Sequence, residues 1–286
     1  MSRLPQTALL TALALIAFAS NSILTRLALG GGQMDAATFT TVRIAAGALV
    51  LAALVRLQHG PSLAAAAPKS VGHGLVGPLA LFAYAAPFSF AYVRIGAAAG
   101  ALLLFGAVQI TMIGRGIAAG ERPGVRAWVG IALAAAGLAW LTLPAISRPD
   151  PIGSALMIVA GCAWGVYSLA GRTATNALAA NARSFVWAVP LALAVNLATL
   201  ASMRVSARGL ILALASGGIT SGLGYAIWYR ALRGLTATRA AILQLSVPVI
   251  AAVGAVVVLH ESVNPRLAIS SVAVIGGVAL VLSARR

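Results

Sequence analysis

The polar side chains that interrupt the apolar stretches of this chain are few, and each is a candidate for handling a solute inside a membrane, where an intramembrane polar group is costly. Arg43 lies eight residues beyond Asp35, about 12 Å deep at about 1.5 Å per helical residue. A guanidinium there either attracts a carboxylate or snorkels back to the interface. Asn21, Gln109 and Gln244 offer neutral groups able to contact both ends of a zwitterion, and interhelical hydrogen bonding would retain them equally well. Gln109 and Gln244 lie on stretches rich in glycine and alanine, and Asn196 is expected to be structural. Among the aromatic residues, Tyr84, Trp164, Tyr167 and Tyr225 lie deep enough to wall a site, whereas Trp128, Trp187 and Tyr229 fit an interfacial belt. Pro87 and Pro248, with Pro78 and Pro190, each remove a helix hydrogen bond and supply either hinges or static bends.

Other chemistry is absent from the pattern. There is no phosphate-binding G-x-x-x-x-G-K-[ST] loop and no G-x-S-x-G. His260-Glu261 begins like a zinc motif, but Asn264 stands where the second histidine is needed. The one cysteine, Cys162, forms neither an intrachain disulfide nor a thiolate cluster. Neither metal nor cofactor is expected, and no enzymatic activity. The four acids, Asp35, Glu121, Asp150 and Glu261, fall at the ends of apolar stretches, so no buried carboxylate is placed to relay protons. Uniport, or coupling through the solute's own charge, is the expectation.

The elements that must position these residues follow from composition. The chain is 61% hydrophobic and 8% charged, against about 25% charged for a soluble domain, so lipid is its solvent. A formal charge of +16 raises nucleic acid as a partner, but the basic residues arrive one to three at a time between apolar stretches and read as loop anchors. With about 20 residues per crossing, spans fall near 7–28, 35–56, 71–93, 96–117, 124–145, 152–172, 182–203, 208–230, 236–259 and 264–283. Arg3, the apolar run from Ala8 and the sequence Ala17-Phe18-Ala19 imitate a signal peptide, yet the run continues to Leu29 and an intact first span is expected. Thirteen of the twenty basic residues fall on the side of the termini, Arg183 among them. The positive-inside rule then puts both termini in the cytoplasm.

A shift of 140 residues superposes Glu121 on Glu261, Gly114 on Gly254 and Gly137 on Gly277. The chain therefore divides into halves, 1–147 and 148–286, of five spans each, and an odd number forces opposite orientations. The fold class is all-α integral membrane: ten transmembrane helices as two inverted five-helix repeats around a central cavity, an architecture that many secondary carriers use. Gly96 to Gly100, Gly161 to Gly165 and Gly218 to Gly222 fit close helix packing.

The stretch TATRAAILQLSVPVIAAVGAVVVLHE from Thr236 to Glu261, with Pro248 and its terminal glutamate, resembles the drug/metabolite transporter superfamily. Within it the chain looks like the EamA-type carriers and the YddG-like exporters of aromatic amino acids. The counterpart from Gly96 to Glu121 lacks the proline, while Trp164-Gly165 and Arg43 sit where such proteins carry an aromatic-small pair and a second-span arginine. The resemblance implies alternating access and export of amino acids and related small metabolites from a bacterial-type inner membrane, and it implies that the fourth and ninth spans are central, so that Gln109 and Gln244 are expected to face the cavity. A drug or other metabolite carrier is the alternative, and small-molecule substrate and membrane lipid are the implied partners.

Overall fold

The computed structural model describes residues 3–59, 71–143, 150–259 and 265–284. Lys69, Arg148, His260, Glu261, Arg285 and Arg286 lie outside the described residues, as do the structural consequences expected of them. All regular structure is helical, with ten helices long and apolar enough to cross a membrane among the described residues. They are α1 (Pro5–Gly30), α2 (Ala36–Gln58), α3 (Gly74–Tyr92), α4 (Ala97–Ala118), α5 (Val125–Thr142), α6 (Pro151–Arg172), α7 (Ala177–Ala198), α8 (Ala207–Leu232), α9 (Ala237–Val257) and α10 (Pro265–Ser283). Helix is the required solution, since lipid supplies no partner for a free backbone N–H or C=O.

Short polar residues start several of these helices by accepting an orphan backbone N–H. Asp35 accepts from Thr38, Asp150 from Gly153, Asn176 from Ala179, Ser206 from Gly209 and Thr236 from Arg239. The Asn176 cap corrects one boundary: α7 starts at Ala177 rather than near residue 182, which brings Arg183 inside the helix and out of the loop assigned to it. At the end of α4, Gly120 takes a positive φ of 92°, which a side chain would strain.

Packing relies on small residues, because apolar side chains gain little by leaving lipid for protein. A Cβ on Gly161 would stand 2.4 Å from the Leu104 carbonyl oxygen, and one on Gly217 would stand 2.2 Å from that of Arg43. Gly130 of α5 and Gly277 of α10 face each other, each Cβ position within 2.6 Å of the other's carbonyl oxygen. Along α8, Ser216–Leu223 opens into wider π-helical turns, and α9 divides between Gln244 and Ser246. Pro248 explains that division, since it has no N–H to offer the Gln244 carbonyl.

The helices pair α5 with α10, α3 and α4 with α6, α1 with α8 and α9, α2 with α7 and α8, α3 with α7, and α4 with α9. Exchanging each helix for the one five places away turns this set into itself: α3–α6 becomes α8–α1, α4–α6 becomes α9–α1, and α3–α7 becomes α8–α2. Large apolar side chains such as Leu49, Ile110, Trp128 and Trp187 point outward, as a lipid-facing surface requires.

Candidate functional site

A cavity of about 200 Å³ enters the bundle between α1, α3, α4, α5 and α9. Its walls include Arg26, Tyr92, Ala97, Thr142 and Ala255. These lie at the ends of α1, α3, α5 and α9 and at the start of α4, which places the mouth on the face opposite the chain termini. A narrower space of about 30 Å³ continues inward, sharing Ser22, Phe88, Leu104, Phe105 and Val247 with the outer part. It ends among Phe18, Asn21, Tyr84, Trp164 and Tyr225.

The inner end is an aromatic cluster. Trp164 stands 4.7 Å from Tyr225 and 4.9 Å from Tyr84 between ring centroids, and Phe18 meets Trp164 edge-on at 5.2 Å. Such pairs contribute about 0.5–1.5 kcal/mol each beyond the area they cover. The Trp164 indole N–H donates to Gln244 Oε1 at 2.5 Å, and the Gln244 amide donates to the Ala240 carbonyl and to Met112 Sδ. Both ends of that link are buried, so α6 and α9 are tied just beneath the cavity.

Behind the cluster lies Arg43, 1% exposed. It does not snorkel. Its Nε donates to Ser221 at 2.9 Å, and Nη2 donates to the hydroxyls of Tyr84 at 3.1 Å and Tyr225 at 2.5 Å. The guanidinium carbon lies 5.3 Å from the Tyr84 ring centre and 5.8 Å from that of Phe88, within cation–π range. Asn21 is held nearby, its Oδ1 accepting from Ser216 and Thr220.

The structure therefore brings Asn21, Tyr84, Trp164 and Tyr225 together on the cavity's inner end, with Arg43 one hydroxyl behind them. Pro248 lines the outer part, while Pro87 sits within the unbroken α3. Tyr167, Gln109 and Gln244 do not line the cavity. The Tyr167 hydroxyl donates to Asn181, and Gln109 donates to the Ala241 carbonyl at 2.7 Å, joining α4 to α9. Asn196 donates to Thr38, an interhelical link.

Tyr229, expected in the interfacial belt, is 2% exposed and donates to the Tyr167 carbonyl. Its ring fills the space left by Gly171, where a Cβ would come within 2.5 Å of it. Sequence reasoning missed Phe18, Ser221 and the pair Ser216 and Thr220. The signal was the run SGGITSG at 216–222, whose hydroxyls alternate with glycines that let α8 approach α2.

At the face of the termini hydrogen bonds tie the α4–α5 turn to α9, beside an open groove of about 340 Å³ lined by Glu121, Pro123, Thr238 and Arg239. Glu121, in the α4–α5 turn, accepts from the N–H groups of Ala237 at 2.7 Å and Thr238 at 3.0 Å and from the Thr238 hydroxyl at 2.8 Å. It also pairs with Arg172 at 3.7 Å. Burial pushes the Glu121 carboxyl up, but the Thr238 and Ala237 donors and the Arg172 charge outweigh it and hold the group below its ordinary 4.5. Within the second half, Arg239 of α9 donates to the Leu282 and Ala284 carbonyls at the end of α10. On the opposite face Arg94 pairs with Asp150, and Asp35 accepts from the Arg204 N–H.

Residues 151–283 match the EamA-like transporter family. An uncharacterized protein of Pseudomonas aeruginosa is 47% identical over 280 residues, covering 98% of this chain and 96% of that protein. A solved crystal structure that is 19% identical superposes with a TM-score of 0.81 over 98% of both chains, a likeness of fold.

Proposed function

Because the chain belongs to the EamA-like transporter family of the drug/metabolite transporter superfamily, we propose that it exports aromatic and other neutral amino acids and related small metabolites by alternating access. The observation that carries this reading is a cavity walled by aromatic rings that opens toward one face and stops at Tyr84, Trp164 and Tyr225, while Glu121 ties the first half to the second at the other face. Flat rings suit a solute with an apolar side chain, and Asn21 and the tyrosine hydroxyls supply the polar contacts that orient it.

The halves 1–147 and 148–286 act as the two moving bodies, in line with the exchange of helix contacts described above. The division of α9 before Pro248 is the hinge best placed to change the cavity wall, with Pro87 of α3 as its partner. Both termini face the cytoplasm of a bacterial-type inner membrane, on the strength of the basic residues that flank that face. The cavity is then open to the outside. The test is flux of labelled phenylalanine and threonine through proteoliposomes, with empty vesicles as reference. Saturable flux that falls in Trp164→Ala supports the reading, and flux no greater than in empty vesicles from folded protein refutes it.

A further inference from the structure

Arg43 is buried seven residues inside α2, yet the three described carboxylates, Asp35, Glu121 and Asp150, all sit at helix ends. A buried cation without a counter-ion is strongly disfavoured unless hydrogen bonds or an incoming charge compensate it. The bonds that Arg43 makes all go to neutral hydroxyls, and its Nη1 is buried with no hydrogen-bond partner. Tyr84 connects this charge to the cavity. Its hydroxyl oxygen accepts from Arg43 and, at 3.3 Å, from Tyr225, which occupies its two acceptor positions. Its own O–H is left with no acceptor among the described residues. Two donors on the oxygen, one of them a cation, polarise that O–H and make it a strong donor. Tyr84 lines the inner end of the cavity, and no carboxylate lines either part of it.

We infer that Arg43, Tyr84 and Tyr225 form a carboxylate-recognition site, in which Tyr84 donates to the solute's carboxylate and the Arg43 charge behind it is neutralised when the solute binds. The transported class is therefore carboxylic acids, as anions or zwitterions, and organic cations are rejected. An ammonium group meets no carboxylate there, only neutral groups such as Asn21, Ser22 and the rings of Phe18 and Trp164, so it is tolerated and not required. This inference rests on the carrier reading, and its test separates the two.

The experiment titrates purified protein with 3-phenylpropionate, phenylalanine and phenethylamine, read by intrinsic tryptophan fluorescence, since Trp164 lies in the site and Trp228 beside it. The three probes share a ring and differ in charge. Phenylpropionate and phenylalanine are expected to bind at least about tenfold more tightly than phenethylamine. Tyr84→Phe, which keeps the ring and the Arg43–Tyr225 bond, should weaken both carboxylates about tenfold and leave phenethylamine unchanged. Phenethylamine binding as tightly as phenylpropionate, or a Tyr84→Phe protein with undiminished phenylpropionate affinity, overturns the inference. Equal binding of phenylalanine and phenethylamine sinks it while sparing the amino-acid reading. Binding of phenylpropionate but not phenylalanine does the reverse, and binding of none of the three overturns both.

Discussion

Replacing Glu121 by alanine tests whether the tied face sets the conformation of the whole bundle. The carboxylate accepts three hydrogen bonds from the start of α9 and is 20% exposed. Water recovers part of what is lost on its removal, so the measured range for deleting a helix cap applies, about 0.5–2 kcal/mol. The Arg172 pair at 3.7 Å is itself partly exposed and adds little. Every contact to α9 ties the first half to the second on the side away from the cavity mouth. A loss of about 0.5–2 kcal/mol from that state alone lowers the ratio of cavity-open to cavity-closed molecules about 2- to 30-fold. The assay places a cysteine on the cavity wall by Ala101→Cys in a Cys162→Ser background and follows labelling by a membrane-impermeant maleimide from the face opposite the termini. Glu121→Ala should slow the labelling by lowering the open fraction, and Glu121→Gln, which keeps an acceptor oxygen, should fall between it and the parent. An unchanged rate in folded Glu121→Ala protein would refute the reasoning, because it would mean that the cap stabilises both states equally.

Three further outcomes follow from the same geometry. Since the native-state donors hold Glu121 below its ordinary 4.5, the clamp is intact above the carboxylate range and is lost as pH falls through the depressed value. The labelling rate of the introduced cysteine, divided by that of a free thiol at the same pH so that thiolate ionisation cancels, should therefore stay flat from about pH 6 to pH 8 and fall only in acid, and a midpoint above about pH 5 would contradict the assignment. Gly277→Ala places a methyl 2.4 Å from the Gly130 carbonyl oxygen, so α5 and α10 must separate, at a cost of about 1–3 kcal/mol. A thermal unfolding midpoint equal to that of the parent would show that the contact is not limiting. The three described carboxylates lie at helix ends, so imposing a pH gradient on proteoliposomes should leave solute accumulation unchanged, whereas uphill, proton-driven flux would refute the expectation of uniport.

The ten spans and the lipid environment were legible in the sequence because a backbone without water must satisfy itself, so the length of an apolar run alone specifies a crossing. The positions of the three described acids at helix ends, and the deep placement of Arg43, followed from the same runs. The boundary of α7 was read five residues late because Arg183 resembles a loop charge, whereas the cap that starts the helix is the earlier Asn176. Which side chains face inward was another matter. Lipid tails and a packed interior are equally apolar, so hydrophobic periodicity does not separate the inner face of a span from the outer one. Tyr229 therefore read as an interfacial residue, and Gln109 and Gln244 read as cavity residues, although the first is buried against Gly171 and the others tie helices together. The partners of Arg43 lie 41, 178 and 182 residues away along the chain. Sequence determined that a cation, hydroxyls and aromatic rings were available within the membrane. Only the tertiary structure decided that they meet, because it is the close approach of α8 to α2, permitted by Gly217 and Gly222, that brings Ser221 and Tyr225 to the guanidinium.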